Sequence, residues 1–256
     1  MGWLVFWAVI LLTSFAGFLA LGTWQVQRMY WKHALIDRVD HLLQAAPVDA
    51  PGLDAWPALS NDQDEYRRIE LQGVLLDHDI LVQANTRLGA GFWVMTPLRR
   101  PDGSHVFINR GFVDAAHRDR ARMDPVPGGP VRIQGLLRMS QPGGGFLRAN
   151  VPAEHRWYSR DTAAMGAALH LAPVAPYFVD QSDGGPLAVT VGDDDELAAL
   201  AVSPAHWPVS GLTVVHFRDQ HLSYALTWYA LALMTAAAII YGLRQERRRR
   251  RTGAHA

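Results

Sequence analysis

"HLSYALTWYALALMTAAAIIYGL" (His221–Leu243) opens on a histidine and then runs 22 residues, Leu222 to Leu243, without a formal charge. A helix over that run rises about 1.5 Å per residue, so it is about 33 Å long. The hydrocarbon core of a bilayer is about 30 Å thick and needs about 20 residues to cross. The stretch therefore predicts a membrane-spanning helix with His221 at its mouth. Immediately after it, "LRQERRRRR" (Leu243–Arg251) holds six Arg and one Glu. Basic flanks stay cytoplasmic, which places His221 at the opposite, outer face.

A second uncharged stretch begins the chain: "MGWLVFWAVILLTSFAGFLALGTWQVQ" (Met1–Gln27). A cleaved signal peptide starts with a basic region and has an apolar run of roughly 7–15 residues. This stretch lacks the basic start and runs longer, which favours an uncleaved anchor. Ala20-Leu21-Gly22 is a passable small-x-small cleavage site and keeps the other reading open. Two spans put both termini on the cytoplasmic side. Arg28 and Lys32, just beyond the first span, run against that orientation but are outnumbered by the six C-terminal Arg. The expected order is a transmembrane helix over 1–25, a juxtamembrane amphipathic helix over 26–46 and an outer domain over 47–220. A second transmembrane helix over 221–243 and a basic cytoplasmic tail over 244–256 follow.

The neutral net charge hides this asymmetry. Without the tail's six Arg and one Glu, totals of 24 each fall to 18 basic and 23 acidic residues. A mildly acidic body with its cations concentrated at one end does not suit nucleic-acid binding, which spreads Lys and Arg over a folded surface. The absence of cysteine excludes disulfides, thiolate zinc sites and iron–sulfur ligation.

Between the spans lies enough chain for one domain with its own core. Leu35, Val39, Leu42, Leu43 and Ala46 recur at helical spacing and predict an amphipathic helix along the membrane surface. The Pro- and Asp-rich segment Ala46–Glu65 reads as a loop. Strands are expected over Tyr66–Leu76, Asp79–Thr86, Pro130–Met139 and Ala175–Gln181. A hairpin is expected over Phe92–Val113, its turn supplied by Pro101-Asp102-Gly103. Arg160–Leu171 predicts a helix with Asp161 as its cap, and Asp193–Glu196 ("DDDE") a solvated turn. The fold class expected is a membrane protein whose two transmembrane helices flank one α+β, mostly antiparallel-sheet domain.

Enzymatic templates do not match. The chain has no G-x-S-x-G, H-E-x-x-H, P-loop or G-x-G-x-x-G. Gly143-Gly144-Gly145 reads as a flexible turn. The 11 His lack the close pairs of metal sites, and His216 and His221, five apart, do not share one helical face. No enzymatic turnover is expected.

Three blocks are more specific. "LGTWQVQRMYWKHALIDRV" (Leu21–Val39) resembles the Surf1 family's pattern L-G-x-W-Q-x-x-R-x-x-W-K-x-x-L-I. Leu21, Gly22, Trp24, Gln25, Arg28, Trp31, Lys32, Leu35 and Ile36 match it. "INRGFVD" (Ile108–Asp114) looks like the family's N-R-G-aromatic-V signature, and "HLSYALTWYALAL" (His221–Leu233) resembles its H-L-x-Y-A-x-T-W motif. The blocks follow the family's order and two-span layout. Where the family has Asn residues before the histidine, this chain has Asp219-Gln220. The resemblance implies an assembly factor for haem–copper terminal oxidases that binds haem a and helps build oxidase subunit I. His221 is then the implied ligand of the haem iron and Trp228 its implied neighbour, with haem a synthase a further partner. A bacterial inner membrane is the expected location, because a mitochondrial precursor would begin with an Arg- and Ser-rich presequence.

The residues support that reading in part. His221, Tyr224, Ala225, Trp228 and Ala232 fall on one side of a helix. An imidazole with aromatic neighbours suits iron and porphyrin. It equally suits an interfacial aromatic belt. On the first span, Ala16, Gly17, Ala20 and Gly22 are candidates for close helix approach. Trp24 reads as a headgroup anchor or a cap on the pocket. Arg28 reads as a partner for a haem propionate or for an acidic residue of the domain. Arg110 reads as the holder of an unusual turn that Gly111 permits after a strand. A scaffold that grips nascent subunit I without touching haem is the second reading.

Overall fold

The computed structural model describes residues 2–86, 88–145, 147–182, 189–190, 206–210, 215–216 and 220–253. The expected turn at 193–196 lies outside them. Two units divide the chain: Arg38–His216, and Met1–Asp37 with Phe217–Ala256.

The larger unit is built on strands β1 (Val48–Asp49), β2 (Arg68–Leu75), β3 (Ile80–Thr86), β4 (Gly89–Arg99), β5 (His105–Asp114), β6 (Pro130–Met139) and β7 (Val174–Gln181). They form one sheet in the order β1-β2-β6-β7-β5-β4-β3, and β2 also pairs with β4. Strands β2, β6, β7, β5 and β4 therefore close into a five-stranded barrel. The closing seam is short: Val74 opposite Arg99 and Leu75 opposite Leu98. Strands β1 with β2 and β5 with β7 run parallel, and the other pairs of this sheet run antiparallel.

Alternation along the strands sorts most of the described core into two clusters, with Val94, Val113 and Met123 forming a smaller one. Ile69, Leu71, Leu98, Val106, Ile108, Ile133, Leu137, Tyr177 and Val179 pack together as one cluster. Phe107 and Phe178, the intervening residues of β5 and β7, face the other way and join Ile80, Val82, Met95, Trp157 and Met165. Because β5 and β7 are covered on both faces, they read as continuous apolar runs rather than as an alternating pattern. Met165 belongs to helix α3 (Thr162–Ala168), whose N-cap Asp161 accepts a hydrogen bond from the Ala164 amide at 3.0 Å. The expected hairpin turn forms at 100–104, where Asp102 accepts from both the Ser104 amide and its hydroxyl. The segment expected as a bare loop from Ala46 to Glu65 instead carries β1 and a one-turn helix, α2 (Asn61–Asp64). The short strands β8 (Val189–Thr190) and β9 (Val215–His216) pair with each other in parallel.

Tyr177 is fully buried in the barrel, and its hydroxyl donates to the Pro51 carbonyl at 3.0 Å. Burial pushes its phenol up to about 12 from an ordinary 10.0. A raised folded pKa means the neutral form is the one the fold stabilises. That stabilisation is complete below pH 10 and is lost as pH rises through about 12. Alkaline unfolding of the domain should show a step in this window that Tyr177→Phe removes. The slope of stability against pH between those limits measures it.

The smaller unit contains α1 (Gly2–Gln44) as far as Asp37, and α4 (His221–Gly253). Within them, Phe6–Gln44 and His221–Arg248 are long and apolar enough to cross a membrane. The boundary expected at residue 25, with a separate helix lying on the membrane surface over 26–46, is not a break in the backbone. Helix α1 continues through it without interruption. Its sequence contains no Gly or Pro between Thr23 and Ala46, so nothing kinks it. The buried stripe of its second half is Ile36, Val39 and Leu43. Leu35 and Leu42 are half-buried and Ala46 is exposed. Pro47 follows, disfavouring helical backbone at the residue before it. Helix α4 likewise extends through the basic run as far as Gly253.

Candidate functional site

Helices α1 and α4 pair antiparallel: Gln25 meets His221 at one level, and Phe18 meets Trp228 farther along. What permits the approach is a small residue at the crossing. Gly22 is buried, and a Cβ there would come within 2.8 Å of the Tyr229 ring. The Thr23 hydroxyl lies 3.3 Å from the Tyr229 hydroxyl. From α4, Ala225 and Ala232 are each 2% exposed. Small-residue contacts of this kind are how helices associate in lipid, where no hydrophobic force favours one apolar partner over another. Of the four small residues expected to allow the approach, Gly22 does so. Ala16 and Ala20 are exposed, and a side chain at Gly17 would meet nothing within 4 Å. They fall on other faces of the helix.

Gly22→Val should force the Tyr229 ring aside and separate the pair. The chain has no cysteine, so nitroxides on Leu19→Cys and Leu226→Cys report the helix spacing alone. Their distance distribution should be narrow in the Gly22 background and broad in Gly22→Val. An unchanged distribution would show that Gly22 does not set the spacing.

His221 is half-buried at the first turn of α4, with Nδ1 2.8 Å from Gln25 Oε1. A carboxamide oxygen only accepts hydrogen bonds. In the neutral ring, therefore, Nδ1–H donates to Gln25 and the lone pair resides on Nε2. That is the tautomer a metal ligand uses, with the other nitrogen tied to an acceptor. Gln25 matches the family pattern, but the sequence alone gave it no site role. The signal was present in the quoted block: a polar, uncharged side chain in an apolar helical turn is a candidate for an interhelical hydrogen bond.

The other expected site residues divide. Trp228 is half-buried and stacks on Phe18, ring centroids 5.8 Å apart, so it packs the helix pair. Tyr224 is 51% exposed and Trp24 54% exposed. Arg28, one turn beyond Trp24, lies with its guanidinium 4.1 Å from the centre of the Trp31 ring. Among the described residues no group of three His, Asp or Glu is placed to hold a metal ion.

In the central domain, Asn109-Arg110-Gly111 lies inside β5 rather than after it, and forms a bulge there: Gly111 pairs with Val94 and Asn109 with Met95, leaving Arg110 as the extra residue. Asn109 Nδ2 donates to Asp180 at 2.7 Å, and its Oδ1 accepts from the Gly111 amide. Arg110 is 9% exposed and donates to the Asp124 carbonyl at 2.7 Å. Burial holds its guanidinium below the usual arginine range, with nearby Asp79 acting in the opposite direction. Gly111 has φ +135°, and the Val209 carbonyl would lie 2.3 Å from a Cβ there. Segment 206–210 crosses over it, with Phe112 and Val209 exchanging two backbone hydrogen bonds. Each residue of the triplet therefore works inside the domain.

Comparison with known sequences bears on both regions. The SURF1 family model matches residues 12–233, which takes in most of α1, the domain and the first part of α4. A SURF1-like protein of Monosiga brevicollis is 29% identical over 235 residues, covering 86% of this chain and 81% of its own length. Surfeit locus protein 1 of Homo sapiens is 28% identical over 254 residues, covering 89% and 74%. A SURF1-like protein of Dictyostelium discoideum is 24% identical over 247 residues, covering 83% and 87%.

Proposed function

The chain belongs to the SURF1 family, and from that premise we propose that it assists assembly of a haem–copper terminal oxidase by holding haem a at His221 for insertion into subunit I. Haem a synthase is the source of the cofactor in this scheme. The membrane is a bacterial inner membrane, with both termini cytoplasmic and the central domain periplasmic. The basic run after α4 supports that orientation.

The observation that carries the proposal is the His221–Gln25 hydrogen bond. It fixes an imidazole with its lone pair on Nε2, the form that ligates iron. The surrounding residues fit the group. Tyr224 and Trp24 offer exposed aromatic surface, and Arg28 supplies a cation suited to a propionate. When bound, haem a would supply an iron that the His221 imidazole could hold. Its isoprenoid tail is costly to carry through water, at about 0.8 kcal/mol per CH2 exposed. A ligand at the head of a lipid-length helix lets the tail stay in the bilayer. Trp228 contributes by fixing α4 against Phe18, which holds His221 in place.

The test uses a strain that lacks this protein and carries either the wild-type chain or His221→Ala. The haem a content of its isolated oxidase is then measured per subunit I. The proposal predicts normal content with wild type and a marked deficit with His221→Ala. Equal content in both would favour a scaffold that stabilises subunit I without binding haem.

A further inference from the structure

Gln25 is half-buried on α1, and its carboxamide oxygen faces the Nδ1 of a histidine 196 residues away. The helix pair has other contacts that hold it together: Gly22 against Tyr229, Phe18 against Trp228 and the buried Ala225. A carboxamide aimed at a ring nitrogen does something those contacts cannot. It selects which nitrogen carries the proton, and it limits rotation of the ring about its χ angles. Outer-shell acceptors of this kind set both the orientation and the basicity of a metal-bound imidazole.

We propose that Gln25 is the positioning residue of His221: its carboxamide oxygen accepts the hydrogen bond of Nδ1–H, fixes the ring, and so presents Nε2 as the ligand of the iron. This rests on the haem reading of His221 above. The role is specific to an acceptor side chain. A Leu at 25 fills similar space but accepts nothing. A Glu accepts more strongly and makes the imidazole a better electron donor.

The test has two readouts on the full-length chain in lipid nanodiscs, labelled with 15N-histidine. Without haem, two-bond 1H–15N correlations of His221 report its tautomer at a pH where the ring is neutral. Wild type and Gln25→Glu should show a protonated Nδ1 and an unprotonated Nε2, whereas Gln25→Leu should show a mixture. With haem a added, affinity should fall about 10-fold or more in Gln25→Leu, the range typical of lost outer-shell partners. Gln25→Glu should retain binding and lower the midpoint potential of the bound haem relative to wild type.

The outcomes separate the two ideas. If wild type and Gln25→Leu share one tautomer, or bind haem with equal affinity and equal potential, Gln25 is only a packing residue and the inference is overturned. If Gln25 sets the tautomer but wild type binds no haem, the haem reading falls and takes the iron-directed half of this inference with it.

Discussion

Asp180→Ala is expected to lower the stability of the central domain by about 3–5 kcal/mol, the range found when one partner of a buried ion pair is removed. Asp180 is 3% exposed and gathers Asn109 Nδ2 at 2.7 Å, Arg138 at 2.9 Å and Arg160 at 3.5 Å. Both arginines are largely buried, with side chains 12% and 14% exposed. Burial alone would push the Arg138 guanidinium down. Asp180, Tyr66 and Glu65 more than offset this, so its net displacement is upward. Arg160 is held below the usual range, because burial outweighs the same carboxylate. Deleting Asp180 leaves Glu65, on Arg138 at 2.7 Å, as the carboxylate hydrogen-bonded to this pair. It also removes the acceptor of the Asn109 carboxamide. For a domain of this size the melting temperature should drop by about 10 °C, read by circular dichroism on the full chain in detergent. A drop below about 2 °C would show that the network adds little stability.

Gly111→Val should be nearly as damaging, for a different reason. At φ +135° a Cβ would lie 2.3 Å from the Val209 carbonyl oxygen and 2.7 Å from the Ser210 nitrogen. Both are backbone atoms, so no side chain can rotate out of the way. Strained backbone of this kind costs about 1–3 kcal/mol. Displacing segment 206–210 also breaks the two Phe112–Val209 hydrogen bonds, each worth about 1 kcal/mol. The expected total is about 3–5 kcal/mol. Hydrogen exchange at the Phe112 and Val209 amides should accelerate sharply in the variant. Unchanged protection there would mean that the strap is held by something else. Consequently, loss of oxidase after changes in Asn109-Arg110-Gly111 would report on folding of this domain and would not by itself reveal a surface for subunit I.

The strands that carry their own alternation or turn chemistry were legible. Pro130–Met139 is a strand end to end, and the turn around Asp102 and Gly103 connects β4 to β5 as its composition predicts. Barrel closure was not legible, because it rests on two residue pairs between strands that are not consecutive in the chain. Nor was the parallel pairing of β5 with β7, since a strand's own pattern does not reveal its neighbour. Apolar periodicity gave the second half of α1 a helix. It could not show that this helix and the span are one, which depends on the absence of a break at residue 25.

At the site, His221 was legible because it stands alone at the head of an uncharged run and matches a family motif. Gln25 matched the same family's pattern, yet its role is a tertiary fact. Small residues on a helix are equally small in sequence, and packing alone distinguishes Gly22 from Gly17. Trp228 showed its spacing from His221 but not the Phe18 ring that occupies it.

The most direct measurement is an equilibrium titration of the purified full-length protein with ferric haem a in nanodiscs, followed in the Soret region. Wild type should show a shift that saturates at a single haem per chain, and His221→Ala should show none. Identical titration curves for the two proteins would contradict the claim that this histidine ligates the iron.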